Sequence, residues 1–355
     1  MDIRPSFELE QLYTRYYSLL HAIAYRMIGS YSEAQDMVHD VFEQLAAKEL
    51  AEIQHIKAYL IRAVTNRCLN VLQSARKRRE LYPGPWLPEP DVAGYASYST
   101  ARTRNAATLH DFMSSAHTTT DDHTDAACVA YLAAIPATHS ASATVQQSTI
   151  MHELDGEQAL LQQEQISYAV MVMLEQLNPL ERAVFVLRES FQFDYADIAN
   201  YVHKSEVACR KMLSRIRGHL QLANEAQTLD NESTLAFTEA FLEAARSGNF
   251  TPLLHKLRED ITMYTDGGGN VRAALRPILT RYRVTTFLTG IASKGAFTGQ
   301  WSVVSVNGTP GLQLRRDGAI VYILAFAWDQ GGHVQHMYMI SNPAKLAHID
   351  AEASL

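Results

Sequence analysis

The chain has 355 residues, which is enough for two or three domains that each bury a core. Hydrophobic residues make up 47% and charged residues 19% of the sequence, a balance that is typical of globular proteins and excludes a disordered chain. The formal net charge of −7 excludes a protein that is basic throughout, so any contact with nucleic acid must come from local basic segments.

The three cysteines are too few and too scattered for a disulfide framework or a zinc site. The first ten residues hold no apolar segment of the kind found in signal peptides, and no later run approaches 18 uncharged apolar residues. We therefore expect a cytoplasmic protein without membrane contact.

Residues 7–80 show the apolar periodicity of three helices. The first is predicted to end at Gly29, Ser32 is expected to cap the second, and the third is predicted over residues 56–79. The second helix carries acidic residues three or four positions apart, the spacing of one exposed face: Glu33, Asp36, Asp40 and Glu43. The C-terminal half of the third is polar and basic, which suits either nucleic acid or the helix dipole.

Residues 82–90 contain four prolines and a glycine, so an extended segment is predicted, with Trp86 docked on a neighbouring surface. Residues 91–150 are rich in Ala, Ser, Thr and His, which predicts a flexible linker compatible with one short helix near residues 126–135. Several side chains there are potential metal ligands but follow no site spacing, so no metal is predicted: His117, Asp121, Asp122, His123 and Asp125.

Residues 164–222 are again helical by pattern. Asn178 is placed to cap a helix that begins with Pro179, and Glu181 is placed to complete a capping box.

Residues 194–220 predict two short helices joined by a tight turn at residues 202–204, with Ser205 as the cap of the second helix. The second helix has a predicted inward stripe of Val207, Met212, Leu213 and Ile216. Its other side is polar and mainly cationic: Arg210, Lys211, Ser214, Arg215 and Arg217. This layout is typical of a helix-turn-helix whose second helix enters a major groove, and an ordinary helical hairpin with a solvated basic face is the alternative.

From about Asn231 the pattern becomes α+β. One amphipathic helix is predicted to end at Gly248, and residues 316–318 predict a hairpin turn. Strands are predicted over residues 261–265, 284–287, 301–306, 312–316, 320–328 and 334–340. A helix followed by a meander favours a curved sheet wrapped around that helix, with a cavity inside.

Six motifs in order carry a family resemblance. Three of them are short and widely separated: WLPEP (residues 86–90), DGGG (266–269) and NPAKL (342–346). The other three lie in the helical segments: RMIGSYSEAQDMVHDVF (26–42), TNRCLN (65–70) and LNPLERAVFVLRE (177–189). The chain resembles a bacterial sigma factor of the extracytoplasmic-function (ECF) class, in the subgroup with a SnoaL-like C-terminal extension.

The resemblance implies a multidomain fold with two all-α sigma domains and a C-terminal α+β domain. Residues 1–81 would be sigma region two, 82–163 a linker, 164–224 region four with the helix-turn-helix, and 231–347 a SnoaL-like regulatory domain. The implied function is that of a subunit of RNA polymerase without catalysis, cofactor or metal, monomeric when free, which binds core RNA polymerase and promoter DNA. The C-terminal domain would pack on the sigma core and tune its activity.

The resemblance also assigns residues. Core polymerase would be bound by Glu33, Asp36 and Asp40. The minus-ten element would be read by Arg62, Asn66, Arg67 and Asn70, and the minus-thirty-five element by Ser205, Glu206, Arg210, Lys211 and Arg215. The regulatory motifs supply Trp86, Leu87, Pro88, Glu89, Pro90, Asp266, Gly267, Gly268, Gly269, Asn342, Pro343, Lys345 and Leu346.

Three features depart from the family pattern. Asn270 follows DGGG where lysine is usual, His203 stands at a turn position that usually holds glycine, and the linker after WLPEP is unusually long. The alternative function is a DNA-targeted enzyme or small-molecule sensor built on the C-terminal cavity. Its candidate acid and base groups form no nucleophile-base pattern in the sequence: Glu239, His255, Asp260, Asp266 and His336.

Overall fold

The computed structural model describes residues 4–48, 50, 53–80, 82, 84–94, 166–221 and 231–352. The predicted linker helix, the His and Asp side chains of residues 117–125 and Cys128 lie outside these residues.

The first helical region consists of α1 (Arg4–Ile28), α2 (Tyr31–Ala46) and α3 (Ile56–Glu80). Gly29 ends α1 as predicted, with the left-handed φ of +75° that favours glycine. The prediction that Ser32 caps α2 is wrong, because Ser30 is the cap and its Oγ accepts a hydrogen bond from the Glu33 N–H at 3.2 Å. The chain passes directly from Gly29 into extended backbone at Ser30, so the helix begins earlier than the apolar pattern indicated.

The second helical region begins with α4 (Tyr168–Leu174) and α5 (Pro179–Phe185), which continues into one π-helical turn (Val186–Ser190). The helix-turn-helix follows as α6 (Tyr195–Val202) and α7 (Glu206–Gln221).

The predicted caps of this region are confirmed. Asn178 Oδ1 accepts from the Glu181 N–H at 2.9 Å, and the Glu181 carboxylate accepts from the Asn178 N–H at 3.3 Å. Ser205 Oγ accepts from the Ala208 N–H at 3.3 Å. His203 forms the corner with a left-handed φ of +53°, a conformation that few residues other than glycine adopt without strain.

The two helical regions share one hydrophobic core. Ile23, Val38 and Val64 of the first region lie in the same buried cluster as Val184 and Ile198 of the second. The helices of residues 4–80 and 168–221 therefore pack as one body.

The C-terminal region contains the helices α8 (Asn231–Ser247), α9 (Arg281–Ala292) and α10 (Pro343–Glu352), with a 3₁₀ turn at Thr251–Lys256. Its strands are β1 (Val92–Gly94), β2 (Leu257–Asp266), β3 (Ile278–Leu279), β4 (Gln300–Val306), β5 (Thr309–Arg316), β6 (Ala319–Trp328) and β7 (Val334–Ile340). They form one sheet in the order β1-β4-β5-β6-β7-β2-β3, antiparallel except for the β2–β7 pair. The predicted hairpin turn is confirmed, with positive φ at Asp317 and Gly318.

Two elements differ from the sequence prediction. Residues 284–287, predicted as a strand, lie inside α9, because Val284 and Leu288 are both buried and four residues apart, which is the helical period. Strand β1 was not predicted. It follows WLPEP directly and pairs with β4, Val92 opposite Val306, so the segment after the first helical region adds a strand to the C-terminal sheet.

The two faces of the sheet have different partners. The inner face packs aromatic side chains against α8, including Phe237, Phe241, Phe326 and Trp328. An open groove of about 670 Å³ borders this cluster near Phe297 and Trp301, in the domain where a cavity was predicted. The outer face is covered by other parts of the chain, with contacts to Leu87, Tyr168, Leu346 and Ile349.

Helix α4 lies between two cores. Its Met171 and Leu174 belong to the core of the helical regions, whereas Tyr168 packs on the outer face of the sheet. Within the described segments, every helix is too short or too polar to span a lipid bilayer.

Candidate functional site

The acidic stripe of α2 lies beside the polar face of α3. Asp36 is exposed, Glu33 and Asp40 are half-buried, and Asp40 forms an ion pair with Arg67 of α3. The predicted polymerase-binding and minus-ten sets are therefore in direct contact.

Arg62, Asn66 and Asn70 follow one another at four-residue spacing and so share one face of α3. The end of this face touches the helix-turn-helix, because Arg62 Nη2 lies 3.3 Å from Nε2 of His203. His203 therefore has two roles: it forms the left-handed corner of the helix-turn-helix, and it contacts the first helical region.

The predicted minus-thirty-five residues are all exposed on α7. The Arg210 guanidinium donates to the Glu206 carboxylate at 3.0 Å and lies 4.8 Å from the centre of the Tyr195 ring. Arg215 forms an ion pair with Glu181 of α5. The cations of α7 are held in place by neighbours and still face solvent.

The prediction that Val207 faces inward is wrong, since its side chain is 61% exposed. The buried stripe of α7 is Cys209, Leu213 and Ile216, at positions i, i+4 and i+7. Val207 precedes Cys209 by two residues, which places it on nearly the opposite side of the helix. It therefore stands among the polar residues predicted to face DNA.

The three regulatory motifs meet at the Asp266 carboxylate, which is buried at the end of β2. Asp266 Oδ2 accepts from the Leu87 N–H of WLPEP at 3.0 Å and from Lys345 Nζ of NPAKL at 2.7 Å. Its Oδ1 accepts from the Tyr82 hydroxyl and from the Gly268 N–H at 3.0 Å. We call Tyr82, Leu87, Asp266 and Lys345 the motif junction.

Lys345 is almost completely buried, with only 8% of its side chain exposed. Besides Asp266, Nζ donates to the Leu87 carbonyl and lies 4.0 Å from the centre of the Trp86 ring. A buried ammonium needs this combination of a counter-charge, an acceptor and an aromatic face. The docking predicted for Trp86 is confirmed.

The DGGG and NPAKL segments also pack closely against each other. Gly268 has a φ of +67°, and a Cβ placed there would lie 2.4 Å from Cγ of Asn342. Asn342 Nδ2 donates to the Tyr82 hydroxyl at 3.0 Å. Burial and the neighbouring Asp266 raise the pKa of Tyr82, so its hydroxyl stays protonated and continues to donate.

WLPEP also joins the first helical region through the buried Glu89. Its Oε1 accepts from Ser30 Oγ at 2.8 Å, and its Oε2 accepts from the Tyr31 N–H at 2.6 Å. The carboxylate thus sits at the N-terminus of α2, where the helix dipole favours negative charge. One five-residue segment links the start of the acidic helix to the motif junction.

Comparison with known families identifies the two helical regions. Residues 12–78 match the Sigma-70 region 2 family, and residues 167–220 match the Sigma-70, region 4 family. The chain is 26% identical over 298 residues to the ECF RNA polymerase sigma factor SigJ of Mycobacterium tuberculosis, across 82% of this chain and 76% of that protein.

The chain belongs to the ECF sigma factors. A second relative, the probable ECF RNA polymerase sigma factor SigI of the same species, is 25% identical over 235 residues, across 66% of this chain and 62% of that protein. The crystal structure of M. tuberculosis SigJ has the same fold, with a TM-score of 0.62 at 23% identity over 93% of this chain and 95% of that one. The sigma factor thus combines regions two and four with a C-terminal sheet domain.

Sigma factors are not enzymes. Of the five acid and base candidates of the alternative function, Asp260 and His336 lie close enough to interact electrostatically, whereas the others do not join them in one site. Glu239, His255 and Asp260 are exposed, and Asp266 belongs to the motif junction. His336 lies on the outer face of the sheet beside Tyr264, where burial lowers its pKa.

Some residues of the sigma factor that join its parts carry no sequence signal. The Tyr25 hydroxyl of α1 donates to the Glu89 carbonyl at 2.6 Å, and Asn307 Nδ2 of the β4–β5 turn donates to Tyr25 at 3.1 Å. Glu89 itself lies in a recognised motif, but its role as a helix cap depends on a contact with residues nearly sixty positions earlier.

Proposed function

We propose that this sigma factor binds core RNA polymerase through the acidic stripe of α2 and reads the minus-ten element with Arg62, Asn66, Arg67 and Asn70 of α3. The minus-thirty-five element is read by α7, through Ser205, Glu206, Arg210, Lys211 and Arg215. The proposal is supported by the exposure of these α7 residues and by the position of α2 beside α3. Val207 is added to the α7 set as an apolar contact for a thymine methyl group.

The domain assignment follows the same division. Residues 1–81 bind polymerase and the minus-ten element, 164–224 bind the minus-thirty-five element, 82–163 connect them, and 231–347 regulate. The proposal places this activity in the cytoplasm, with the free chain monomeric. A small-molecule ligand of the C-terminal domain stays a prediction.

We infer that the described arrangement is a closed form of the sigma factor. The two promoter elements lie about 25 base pairs apart, which is roughly 85 Å of duplex at about 3.4 Å per base pair. Here α3 and the helix-turn-helix are in contact through Arg62 and His203, and they share a core. Simultaneous reading of both elements therefore requires the helical regions to separate.

The C-terminal domain acts in cis by stabilising the closed form. The observation that carries this proposal is the Asp266 carboxylate, which accepts hydrogen bonds from both WLPEP and NPAKL. WLPEP in turn caps α2 through Glu89, and the outer face of the sheet holds α4 of region four through Tyr168. The domain thus contacts both promoter-reading regions at once.

The first experiment measures transcription from a defined promoter by core polymerase with and without the full chain. A specific start site that requires the chain is expected. If core polymerase alone gives the same products, the sigma assignment of the promoter-reading residues fails.

The second experiment tests the closed form directly. A full-length variant with Arg62→Cys and His203→Cys is joined by a cleavable thiol cross-linker, which holds α3 against the helix-turn-helix. We expect the cross-linked protein to give less promoter-specific initiation than the same double variant before cross-linking, and cleavage of the linker to restore the level of that untreated variant. Each single cysteine variant treated in the same way is the control. Full activity of the cross-linked protein would show that the two regions need not separate.

A further inference from the structure

The basic charge of the C-terminal domain is concentrated in one stretch. The fifty residues from Gly267 to Arg316 contain seven cationic residues and no Asp or Glu, although the whole chain has a net charge of −7. The seven are Arg272, Arg276, Arg281, Arg283, Lys294, Arg315 and Arg316. Such segregation creates a local positive potential on an acidic protein.

Three of these arginines serve the fold. Arg281 donates to the Leu254 carbonyl at 2.9 Å and forms an ion pair with Glu259. Arg315 donates to the Gly318 carbonyl at 2.7 Å, and Arg316 donates to the Thr298 carbonyl at 2.9 Å. Their positions have a structural explanation.

Three other arginines have no such structural explanation. Arg272, Arg276 and Arg283 are exposed, and within the described segments they make no hydrogen bond or ion pair with another side chain or a carbonyl. Arg283 lies in the first turn of α9, which contains no acidic residue, and a cation at a helix N-terminus is disfavoured by the dipole. Within the described segments, no polar contact explains the positions of these side chains.

The three arginines lie near the β3 edge of the sheet. Strand β3 is the last strand in the sheet order, with Arg276 just before it and Arg283 just after it. Leu275, Leu279 and Tyr282 in the same stretch are 71%, 51% and 78% exposed. We call residues 272–283 the arginine edge.

The arginine edge lies beside Gly84, in the segment that follows the helix proposed to read the minus-ten element. A Cβ placed on Gly84 would lie 3.5 Å from the Ala274 carbonyl oxygen and 3.5 Å from Cα of Leu275. Gly84 follows the end of α3 by four residues, and the last turns of α3 contain Arg76, Lys77, Arg78 and Arg79 in sequence. The arginine edge thus lies against a residue that follows this basic sequence closely in the chain.

We propose that the arginine edge is a third DNA-binding surface, which contacts the sugar-phosphate backbone of the promoter duplex next to the minus-ten region. Arg272, Arg276 and Arg283 bind phosphates without reading sequence, and the Tyr282 hydroxyl is available to another phosphate. DNA is the polyanionic partner that membership of the sigma factors implies, which favours it over a protein surface. This inference rests on the proposed promoter binding and gives the C-terminal domain a direct part in it.

The test uses holoenzyme assembled from core polymerase and the full chain. Arg276→Gln with Arg283→Gln is compared with Arg246→Gln with Lys294→Gln, which removes the same charge from exposed positions at the C-terminal ends of α8 and α9. Affinity for a promoter duplex and for a duplex with a scrambled minus-ten element is measured by fluorescence anisotropy over a range of salt concentrations. Thermal unfolding of the free variants checks that both pairs fold.

We expect the arginine-edge variant to bind both duplexes at least about tenfold more weakly at 0.1 M salt, with the slope of log K against log salt reduced by about 2. The control pair should stay within about twofold of wild type. Equal behaviour of the two variants, or an unchanged slope, would overturn the proposal. So would weaker binding of the arginine-edge variant to core polymerase without DNA, because the partner would then be the polymerase. Failure of the wild-type holoenzyme to prefer the promoter would instead reject the proposed promoter reading.

Discussion

The ion pair between α2 and α3 is exposed, whereas the ion pair that joins the C-terminal domain to WLPEP is buried. In the Arg67–Asp40 pair the side chains are 43% and 33% exposed, whereas in the Lys345–Asp266 pair they are 8% and 0% exposed. An exposed pair contributes about 0–1 kcal/mol, because water solvates both charges when it opens. Removing one partner of a buried pair leaves an uncompensated charge and costs about 3–5 kcal/mol.

This difference separates two tasks. The exposed Arg67–Asp40 pair can open at little cost, which suits the contacts with DNA and polymerase that we propose for these residues. In the motif junction, loss of one partner leaves a buried charge without compensation, so we expect its contacts with WLPEP to form and break together. Four predictions test this contrast, in order of the expected change in the free energy of unfolding.

The largest effect is expected for Asp266→Asn, which leaves the Lys345 ammonium buried without a counter-charge. We expect the free energy of unfolding of the C-terminal domain to fall by about 3–5 kcal/mol. Urea denaturation followed by tryptophan fluorescence measures it. The control is Asp260→Asn on the same strand, whose exposed carboxylate pairs with Arg258 and should contribute about 0–1 kcal/mol. Equal losses in the two variants would remove the distinction between buried and exposed pairs.

A smaller loss is expected for Gly268→Ala, about 3 kcal/mol, because the left-handed backbone disfavours alanine and the new Cβ would overlap Asn342. Gly248→Ala is the matched control. Its φ of +71° is similar, but no atom lies within 4 Å of the added Cβ, so about 1 kcal/mol is expected. The same denaturation experiment applies. A loss of about 1 kcal/mol at both positions would mean that the fit against Asn342 contributes nothing.

For the exposed Arg67–Asp40 pair, we expect substitutions to affect function more than stability. Arg67→Gln and Asp40→Asn are each expected to change the free energy of unfolding by less than about 1 kcal/mol. Arg67→Gln should reduce promoter melting, measured by permanganate reactivity, more than it reduces core binding. Asp40→Asn should mainly weaken core binding. Parallel losses of melting and core binding in both variants would indicate a structural role for the pair.

The smallest effect concerns pH. Burial lowers the pKa of His336, so the folded protein favours the neutral ring. As the pH falls below about 6.5, the unfolded chain takes up a proton that the folded chain does not, and stability is lost. His336→Asn should therefore flatten the stability profile between about pH 7 and pH 5, by less than about 1 kcal/mol. An unchanged slope in His336→Asn would contradict the assignment to His336.

Much of the local structure could be predicted from the sequence, because it depends on residues close together in the chain. The capping box of Asn178 and Glu181 needs only a three-residue spacing. Helix ends at Gly29 and Gly248 follow from the left-handed backbone that glycine favours. The wrong predictions are local too. Ser30 and Ser32 are both acceptable caps, and the apolar character of Val207 favours burial although Cys209 has the spacing of the buried stripe.

The sequence also determined the charge of the reading helices and the order of the six motifs, which indicated the sigma family. Only the tertiary structure decided what the motifs do to one another. Asp266 binds the Leu87 N–H across 179 positions, and Glu89 caps α2 across 58. Such pairs leave no periodic trace, because each partner alone is compatible with a turn or a solvated surface. Their role follows from burial, since a buried carboxylate or ammonium must find its partners in the folded chain.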